Sequence, residues 1–280
     1  MGRPDGREWN LRGQTRSLAG ADTVAGVKIL VCVKRVPAPG ARINLTPDSR
    51  SIDARHLSFT VSPHEECAVE EAIRLKELHG GSVTILTLGS AEAEEQLRYA
   101  ISVGADEADL ITADEIDIDP QATASALSDR ITELEGASDP FDLILVGNES
   151  ADAGGYQVGV RIAHALGRPV ISGIKGLKVE DQTIEARREI DGGFEIYSLP
   201  LPAIVAVKEG INLPRYPTLP GRLRAKKAEV RKVAYQQNAG GLTMVSLATP
   251  VEQQTATRVL GRGAEAAPAV VDLFEELGLL

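Results

Sequence analysis

The chain has 280 residues, of which 43% are hydrophobic and 25% charged, a composition that fits one large globular domain with extensions or two small domains. The formal net charge of −10 argues against nucleic acid as the main partner, because that binding depends on neutralising phosphates with lysine and arginine. No segment approaches the roughly eighteen consecutive apolar residues of a transmembrane helix, so no membrane insertion is expected.

The N-terminal residues 1–26 are rich in arginine and glycine and contain no apolar run, which excludes a secretory signal peptide. Asp5 and Glu8 also fit a mitochondrial transit peptide poorly. We expect a disordered extension or an over-long start, and a cytoplasmic location in a bacterium, with the mitochondrial matrix as second choice. Cys32 and Cys67 lack the spacing of a disulfide framework or a zinc site, so both are expected to be buried as small hydrophobic residues.

The first predicted elements are a strand, a helix and a strand. The β-branched run at 27–36 predicts the first strand. Ser62 to Glu65 predicts a helix start, with Ser62 as N-cap, proline at the first helical position and Glu65 closing a capping box. The second strand is predicted at 82–89. The acidic residues of this helix and the next are expected on the surface: Glu70, Glu71, Glu92, Glu94 and Glu95.

The alternation continues toward the middle of the chain. Ser90 predicts the cap of a helix that ends at Gly104. A short strand at 108–112, a helix from Asp119-Pro120 to about Leu134, a buried strand at 141–147 and a helix at 157–166 follow, in that order. Strands alternating with helices through short connections predict an α/β fold with a doubly wound, mostly parallel sheet.

A β-hairpin is predicted around Asp191-Gly192-Gly193, because two alternating apolar runs flank residues suited to positive φ. The continuous apolar run at 203–207 that follows predicts a strand buried on both faces. We expect this hairpin to decorate the main sheet.

From about Pro214 the regular pattern ends. A basic run, interpreted as a solvated face, comprises Arg222, Arg224, Lys226, Lys227, Arg231 and Lys232. Residues 234–280 hold short apolar pieces and a small helix near 270–277, too little for a core of their own. The sequence therefore predicts an α/β nucleotide-binding domain at 27–233 and an extended C-terminal arm at 234–280 that packs on a partner.

Ligands of a doubly wound sheet bind beyond the carboxyl ends of its strands. The candidate loops follow Val36, Gly89 and Gly147. The loop at 147–159 is rich in small residues that let backbone amides approach a phosphate, and it leads into a helix N-terminus. It contains neither a Walker A motif nor GxGxxG. It predicts a nucleotide site, with a glycine-rich helix cap as the alternative.

No catalytic group is recognisable. The four histidines are scattered, and HExxH, GxSxG and metal-spaced Cys/His groups are absent from the sequence. This is typical of a protein that carries a cofactor for a partner and is not itself an enzyme.

Ordered segments over residues 27–233 resemble the electron-transfer flavoprotein beta subunit. The matching strings are VKILVCVKRVP at 27–37, SPHEECAVEEAIRLKE at 62–77, GAD at 104–106, FDLILVGNESAD at 141–152, RREIDGGFE at 187–195, LPLPAIVAV at 199–207 and NLPRYPTLPGRLRAKKAE at 212–229. The resemblance implies a 1:1 heterodimer with an alpha subunit that holds most of a redox-active FAD. It also implies electron transfer from flavoprotein dehydrogenases, such as acyl-CoA dehydrogenases, to a membrane quinone oxidoreductase.

The resemblance further implies AMP in a nucleotide site of this chain. The residues carried over are Cys32, Ser62, Pro63, His64, Glu65, Leu88, Gly147, Asn148, Glu149, Ser150, Ala151, Asp152, Ala153, Gly154, Gly155, Tyr156, Gln157 and Val158. A recognition loop near 208–217 would dock the dehydrogenases. Its expected residues are Ile211, as an exposed apolar anchor, with Asn212, Leu213, Pro214, Arg215 and Tyr216.

Three departures from the family leave the identity of the nucleotide and the tuning of the flavin open. The loop at 151–156 matches neither the acidic version of AMP-binding members nor the Gly-Asp-Thr version of bifurcating members, which hold a second FAD. Pro39 and His64 stand where some members place aromatic residues near the flavin, and Tyr197 stands where the family signature prefers an aliphatic residue. The alternatives are a bifurcating subunit, a nucleotide-binding enzyme such as an ATP pyrophosphatase, and an ATP-binding module without a redox role.

Overall fold

The computed structural model describes residues 26–114, 118–236, 241–250 and 258–280. The predicted disordered extension therefore lies outside the described residues, apart from Gly26. The described strands are β1 (Val27–Cys32), β2 (Arg35–Pro37), β3 (Phe59–Val61), β4 (Gly81–Gly89), β5 (Glu107–Thr112), β6 (Leu143–Gly147), β7 (Val170–Glu180), β8 (Thr183–Ile190), β9 (Gly193–Pro200), β10 (Ala203–Val207) and β11 (Arg231–Ala234). The described α-helices are α1 (Pro63–His79), α2 (Glu94–Val103), α3 (Pro120–Ala137), α4 (Val158–Leu166), α5 (Leu219–Lys227) and α6 (Ala267–Glu276).

Nine strands form one sheet in the order β11-β5-β4-β1-β6-β10-β7-β8-β9. From β11 to β7 each strand pairs in parallel with its neighbour, whereas β7, β8 and β9 pair antiparallel. The strands β1, β6 and β10 are almost entirely buried, as parallel strands covered by helices on both faces must be. The predicted α/β fold with a doubly wound, mostly parallel sheet is confirmed.

Helices cover both faces of the sheet. Apolar side chains of α1 and α2, with Ala225 of α5, pack in the core on one face. Side chains of α3 and α4 pack in a second core on the other face, where Leu127, Ile131 and Ile162 are buried. The carboxyl ends of the parallel strands are left between these layers, and this is the edge at which α/β sheets bind ligands.

The predicted strand at 27–36 is two strands. β1 ends at Cys32, and β2 pairs antiparallel with β3 outside the main sheet. The backbone N–H of Lys34 donates to the Glu65 carboxylate at 2.6 Å instead of to a neighbouring strand. The apolar run leaves the sheet at this point because a side chain takes over its backbone hydrogen bond.

The start of α1 is correct in position, but only half of its predicted capping is present. Ser62 has the extended backbone of an N-cap and Pro63 begins the helix, yet the Ser62 side chain makes no capping bond. Its hydroxyl donates to the backbone carbonyl of Glu149 at 3.4 Å, and Glu65 accepts from Lys34. Half of the predicted capping box is present, because Glu65 accepts a hydrogen bond from the Ser62 backbone N–H, whereas the Ser62 side chain binds the 147–158 loop instead of the helix.

The hairpin around Asp191 is confirmed, with φ of 81° at Gly192, but it extends the sheet instead of decorating it. Sequence reasoning missed β7, whose apolar pattern is interrupted by Gly173 at a bulge with φ of 73°. It also missed α5 and β11, which lie in the basic run. The small C-terminal helix is present as α6.

Candidate functional site

A cavity of about 440 Å³ lies at the carboxyl edge of the sheet. Twelve of the predicted nucleotide-site residues line it: Cys32, Glu65, Leu88, Gly147, Asn148, Glu149, Ser150, Ala153, Gly155, Tyr156, Gln157 and Val158. Ser62, Pro63, His64, Ala151, Asp152 and Gly154 lie beside it without lining it. The structure therefore brings together most of the set carried over by resemblance, around the loop chosen on physical grounds.

The loop from Gly147 to Val158 follows β6 and leads into α4. Gly147 is required by close packing, since a Cβ there would lie 2.6 Å from Cγ of Glu65. The first turn of α4 approaches β6 just as closely, because a Cβ on Gly159 would lie 2.7 Å from Cγ2 of Val146. These glycines hold the N-terminus of α4 against the sheet, with its free backbone amides at the cavity, where they suit an anionic group.

Lys34 is a charged cavity residue that the sequence reasoning did not choose. Its Nζ lies 2.6 Å from Oδ2 of Asp152. Burial alone would raise the pKa of Asp152, but the Lys34 charge and hydrogen bonds from Lys34, Ser150 and the Ala153 amide outweigh burial and lower it. The ion pair ties the end of β1 to the 147–158 loop.

Glu65 is a buried carboxyl group in the wall of this cavity, with 7% of its surface exposed. Burial raises its pKa to about 8, and the nearby Asp152 charge adds to this, against the lowering by the Lys34 amide and ammonium. Burial, and then the Glu65 charge, raise the pKa of the neighbouring Cys32 thiol to about 12. Cys32 is thus inert as a nucleophile, and both predicted buried cysteines are confirmed as buried and free.

His64 packs beside the loop. Its Nε2 lies 3.5 Å from Oε1 of Glu149, and its buried Nδ1 has no hydrogen-bond partner among the described residues. The hydroxyl of Tyr156 also hydrogen-bonds Glu149, and this bond raises the pKa of the tyrosine. Glu149 thereby connects the start of α1 with the start of α4.

Other cavity residues were missed as well. Ile118, Asp119, Pro120, Thr123 and Leu127 come from the start of α3, and Leu242, Thr243, Met244 and Val245 come from the C-terminal arm. The first group had a signal, because Asp119-Pro120 was recognised as a helix start after a parallel strand. The second had none, because nothing in an irregular segment indicates where it packs.

The predicted recognition loop lies against α1. The Arg215 guanidinium donates to Glu70 at 2.8 Å and to Glu77 at 2.6 Å. The Asn212 side chain donates to the Cys67 carbonyl at 3.0 Å and to Glu71 at 2.9 Å. Glu70 and Glu71 are therefore buried, not on the surface as predicted, because they hold this loop.

The exposed apolar residue of this region is not Ile211. Ile211 is half-buried and packs against the core. Leu213 and Tyr216 are 89% and 91% exposed, and Leu219 and Leu223 on α5 are exposed as well. The expectation of an exposed Ile211 is wrong, because the hydrogen bonds of Asn212 and Arg215 to α1 hold the start of the loop against the domain. We call Leu213, Tyr216, Leu219 and Leu223 the apolar patch.

In the described parts of the chain, no helix is long and apolar enough to cross a membrane. Within the same ranges, no group of three or more His, Cys, Asp or Glu side chains could hold a metal ion.

Comparison with known proteins identifies the family. A family model described as "Electron transfer flavoprotein domain" matches residues 51–238. The chain is 40% identical to electron transfer flavoprotein subunit beta of Bacillus subtilis over 177 residues, 62% of this chain and 67% of that protein. It is 34% identical to the subunit of the same name from Mycobacterium leprae over 241 residues, 80% of this chain and 89% of that protein.

A third relative bears a different name. Protein FixA of Bradyrhizobium diazoefficiens is 33% identical over 211 residues, which are 74% of this chain and 73% of that protein. The family match covers β3 to β11, with the 147–158 loop and the recognition loop, but not the cavity residues Leu242 to Val245. The chain belongs to the electron transfer flavoprotein family, among its beta subunits.

Proposed function

We propose that this chain is the beta subunit of a heterodimeric electron-transfer flavoprotein and that its cavity holds AMP. The alpha subunit holds most of the FAD, and the arm at 234–280 packs on that subunit. The pair takes electrons from flavoprotein dehydrogenases, acyl-CoA dehydrogenases first among them, and passes them to a quinone oxidoreductase. The observation that carries the proposal is the cavity at the sheet edge, built by the 147–158 loop in a chain of this family.

The geometry supports a carrier more than an enzyme. The cavity joins backbone amides at the start of α4, the Lys34 ammonium and apolar side chains such as Leu88 and Leu127. This mixture suits a nucleotide, whose phosphate binds at a helix N-terminus and whose base packs on apolar surface. The thiol at the cavity is fully protonated at neutral pH. When FAD is bound by the partner, it supplies the redox chemistry. The residues of this chain bind and orient the nucleotide in the cavity.

The choice between AMP and a second FAD depends on the 151–156 segment. Ala153, Gly154 and Gly155 replace the Gly-Asp-Thr of bifurcating members, so this segment lacks an acidic and a hydroxyl group that could hold a longer cofactor. Each missing hydrogen bond is worth on the order of 1 kcal/mol. A cavity of about 440 Å³ also lies toward the small end of ligand sites, which span roughly 300–1,000 Å³.

Co-expression with an alpha subunit is expected to give a 1:1 complex with one flavin and one AMP. The physical reason is an arm without a core of its own and a cavity short of groups for a second flavin. Size-exclusion chromatography measures the subunit ratio of the complex, and the absorption spectrum measures its flavin content. Mass spectrometry of nucleotides released on denaturation measures its AMP content. The chain expressed alone is the control and should be unstable or free of flavin. A stable yellow monomer contradicts the proposed pairing, and two flavins bleached by NADH indicate the bifurcating alternative.

Dehydrogenase docking is proposed to use the apolar patch. Replacing Leu213, Tyr216 and Leu219 singly by Ala is expected to slow flavin reduction by a dehydrogenase about tenfold for at least one variant. The reason is that one well-buried apolar side chain contributes about 1.5–3 kcal/mol at a small interface. Stopped-flow reduction at limiting carrier concentration measures the effect, with flavin content unchanged.

Ile211→Ala is the matched comparison for these variants. Because Ile211 packs against the core, its truncation is expected to lower stability more than the rate of docking. A slow Ile211→Ala variant with unchanged melting would restore Ile211 as the anchor. Unchanged kinetics in all four variants with every donor tried would place docking on another surface.

A further inference from the structure

A segment of the C-terminal arm crosses the nucleotide cavity. Four consecutive residues, Leu242 to Val245, line it together with residues of the parallel sheet. We call residues 241–247 the strap. The strap is the part of the cavity wall that does not come from the α/β domain.

The strap is fixed at both of its ends. Gly241 lies against Asp119, the N-cap of α3, where a Cβ would be 2.5 Å from the carboxylate, and its φ is +117°. The Leu247 amide donates to the Ser49 carbonyl at 2.7 Å, in the connection between β2 and β3. The strap thus extends from the start of α3 to the connection between β2 and β3.

The chemistry of the strap suits an aromatic base more than a phosphate. No charged side chain occurs from Val233 to Val251, in a chain that is 25% charged. Met244 offers a polarisable thioether, which makes favourable contacts with aromatic rings. The α/β domain adds apolar surface to the cavity from Leu88 of β4, Leu127 of α3 and Val146 of β6. The lysine, aspartate and glutamate side chains that line the cavity, Lys34, Glu65, Asp119 and Glu149, all lie outside the strap, with Asp119 beside its first residue, Gly241.

The strap is lightly packed. Leu242 and Val245 are 77% and 80% exposed, and Met244 is 37% exposed. Segments with few buried contacts open at low free-energy cost compared with the core. A wall that closes a cavity but is held by few contacts determines how quickly a ligand leaves.

We propose that the strap covers the base of the bound nucleotide and sets the rate at which the nucleotide is released. This inference rests on the proposed nucleotide function of the cavity. It assigns a second role to the arm, in addition to packing on the partner subunit. Met244 is the main contact residue, and the Leu247 amide is the group that keeps the strap in place.

The test measures release of AMP from the full-length chain in complex with its flavin-bearing partner. The complex is loaded with radiolabelled AMP and diluted into excess unlabelled AMP. Met244→Ala removes the side chain from the base, and Leu247→Pro removes the amide donor. Both are expected to release AMP about tenfold faster, Met244→Ala because a large apolar contact is lost and Leu247→Pro because one end of the strap loses its hydrogen bond. Ser246→Ala, in the strap but not in the cavity wall, should release it at the wild-type rate.

The outcomes separate the two levels of the proposal. If the wild type binds AMP and all three variants release it at the same rate as the wild type, the strap inference is overturned while the nucleotide site stands. AMP retained by none of the proteins, wild type included, overturns the nucleotide function and the strap with it. Circular dichroism confirms folding, and Met244→Ala keeps the test valid if Leu247→Pro does not fold.

Discussion

Asp109→Ala is expected to lower the free energy of unfolding by about 3–5 kcal/mol, the usual effect of removing one member of a buried ion cluster. Asp109 is completely buried on β5. One of its carboxylate oxygens accepts from Arg130 of α3 at 3.0 Å, and the other accepts from Arg231 of β11 at 2.8 Å. Without the carboxylate, two guanidinium groups would face each other beside the core. Urea unfolding followed by circular dichroism measures the loss.

Glu107→Ala is the matched control, because Glu107 lies on the same strand and also pairs with Arg231, at 2.6 Å. Its side chain is 52% exposed, so the loss should stay below about 1 kcal/mol. Equal losses in the two variants would contradict the view that Asp109 is the centre of the cluster. Because β11 directly precedes the arm, Asp109→Ala should also loosen the attachment of the strap.

The parallel part of the fold could be predicted from sequence because its signals are local. Continuous apolar runs such as 203–207 and cap-proline pairs such as Asp119-Pro120 specify an element from a few neighbouring residues. The edges could not be predicted in the same way. β11 is held by Arg231 reaching Asp109, a contact between residues 122 positions apart. A basic run carries no sign of that partner, so it was interpreted as a solvated face.

In the candidate site, too, the parts with local sequence signals could be predicted and the contacts between distant residues could not. The 147–158 loop was found because glycine-rich segments between a buried strand and a helix have a known use at this sheet edge. Glu65 was assigned a capping role, since position three after a serine predicts a capping box. The contact that this reasoning missed is the Lys34 amide, which also donates to Glu65 from 31 positions away. Glu70 was misassigned for the same reason, because its partner Arg215 is 145 positions away.

Glu65→Gln is expected to stabilise the protein at pH 8.5 by on the order of 3–5 kcal/mol and to leave it almost unchanged at pH 5. Burial raises the pKa of Glu65 from 4.5 to about 8 in the folded state. The folded chain therefore holds this proton more tightly than the unfolded chain. The stability that the proton contributes is complete below about pH 4.5 and is lost as the pH rises to about 8, at about 1.36 kcal/mol per pKa unit. Glutamine keeps the acceptor for Lys34 but carries no charge.

The difference between wild type and Glu65→Gln isolates this residue, because contributions to stability that are common to both proteins cancel. The pKa of Asp152 is lowered, so its contribution is lost only as the pH falls through the acid range. The pKa of Cys32 is raised to about 12, above the window. Burial also raises the pKa of Glu71, but the change of stability with pH that follows from it is common to both proteins. Urea unfolding at half-unit steps from pH 5 to 8.5 measures the difference. A difference that does not change with pH would show that the Glu65 carboxylate is solvated in solution, and the cavity wall would then be open at this point.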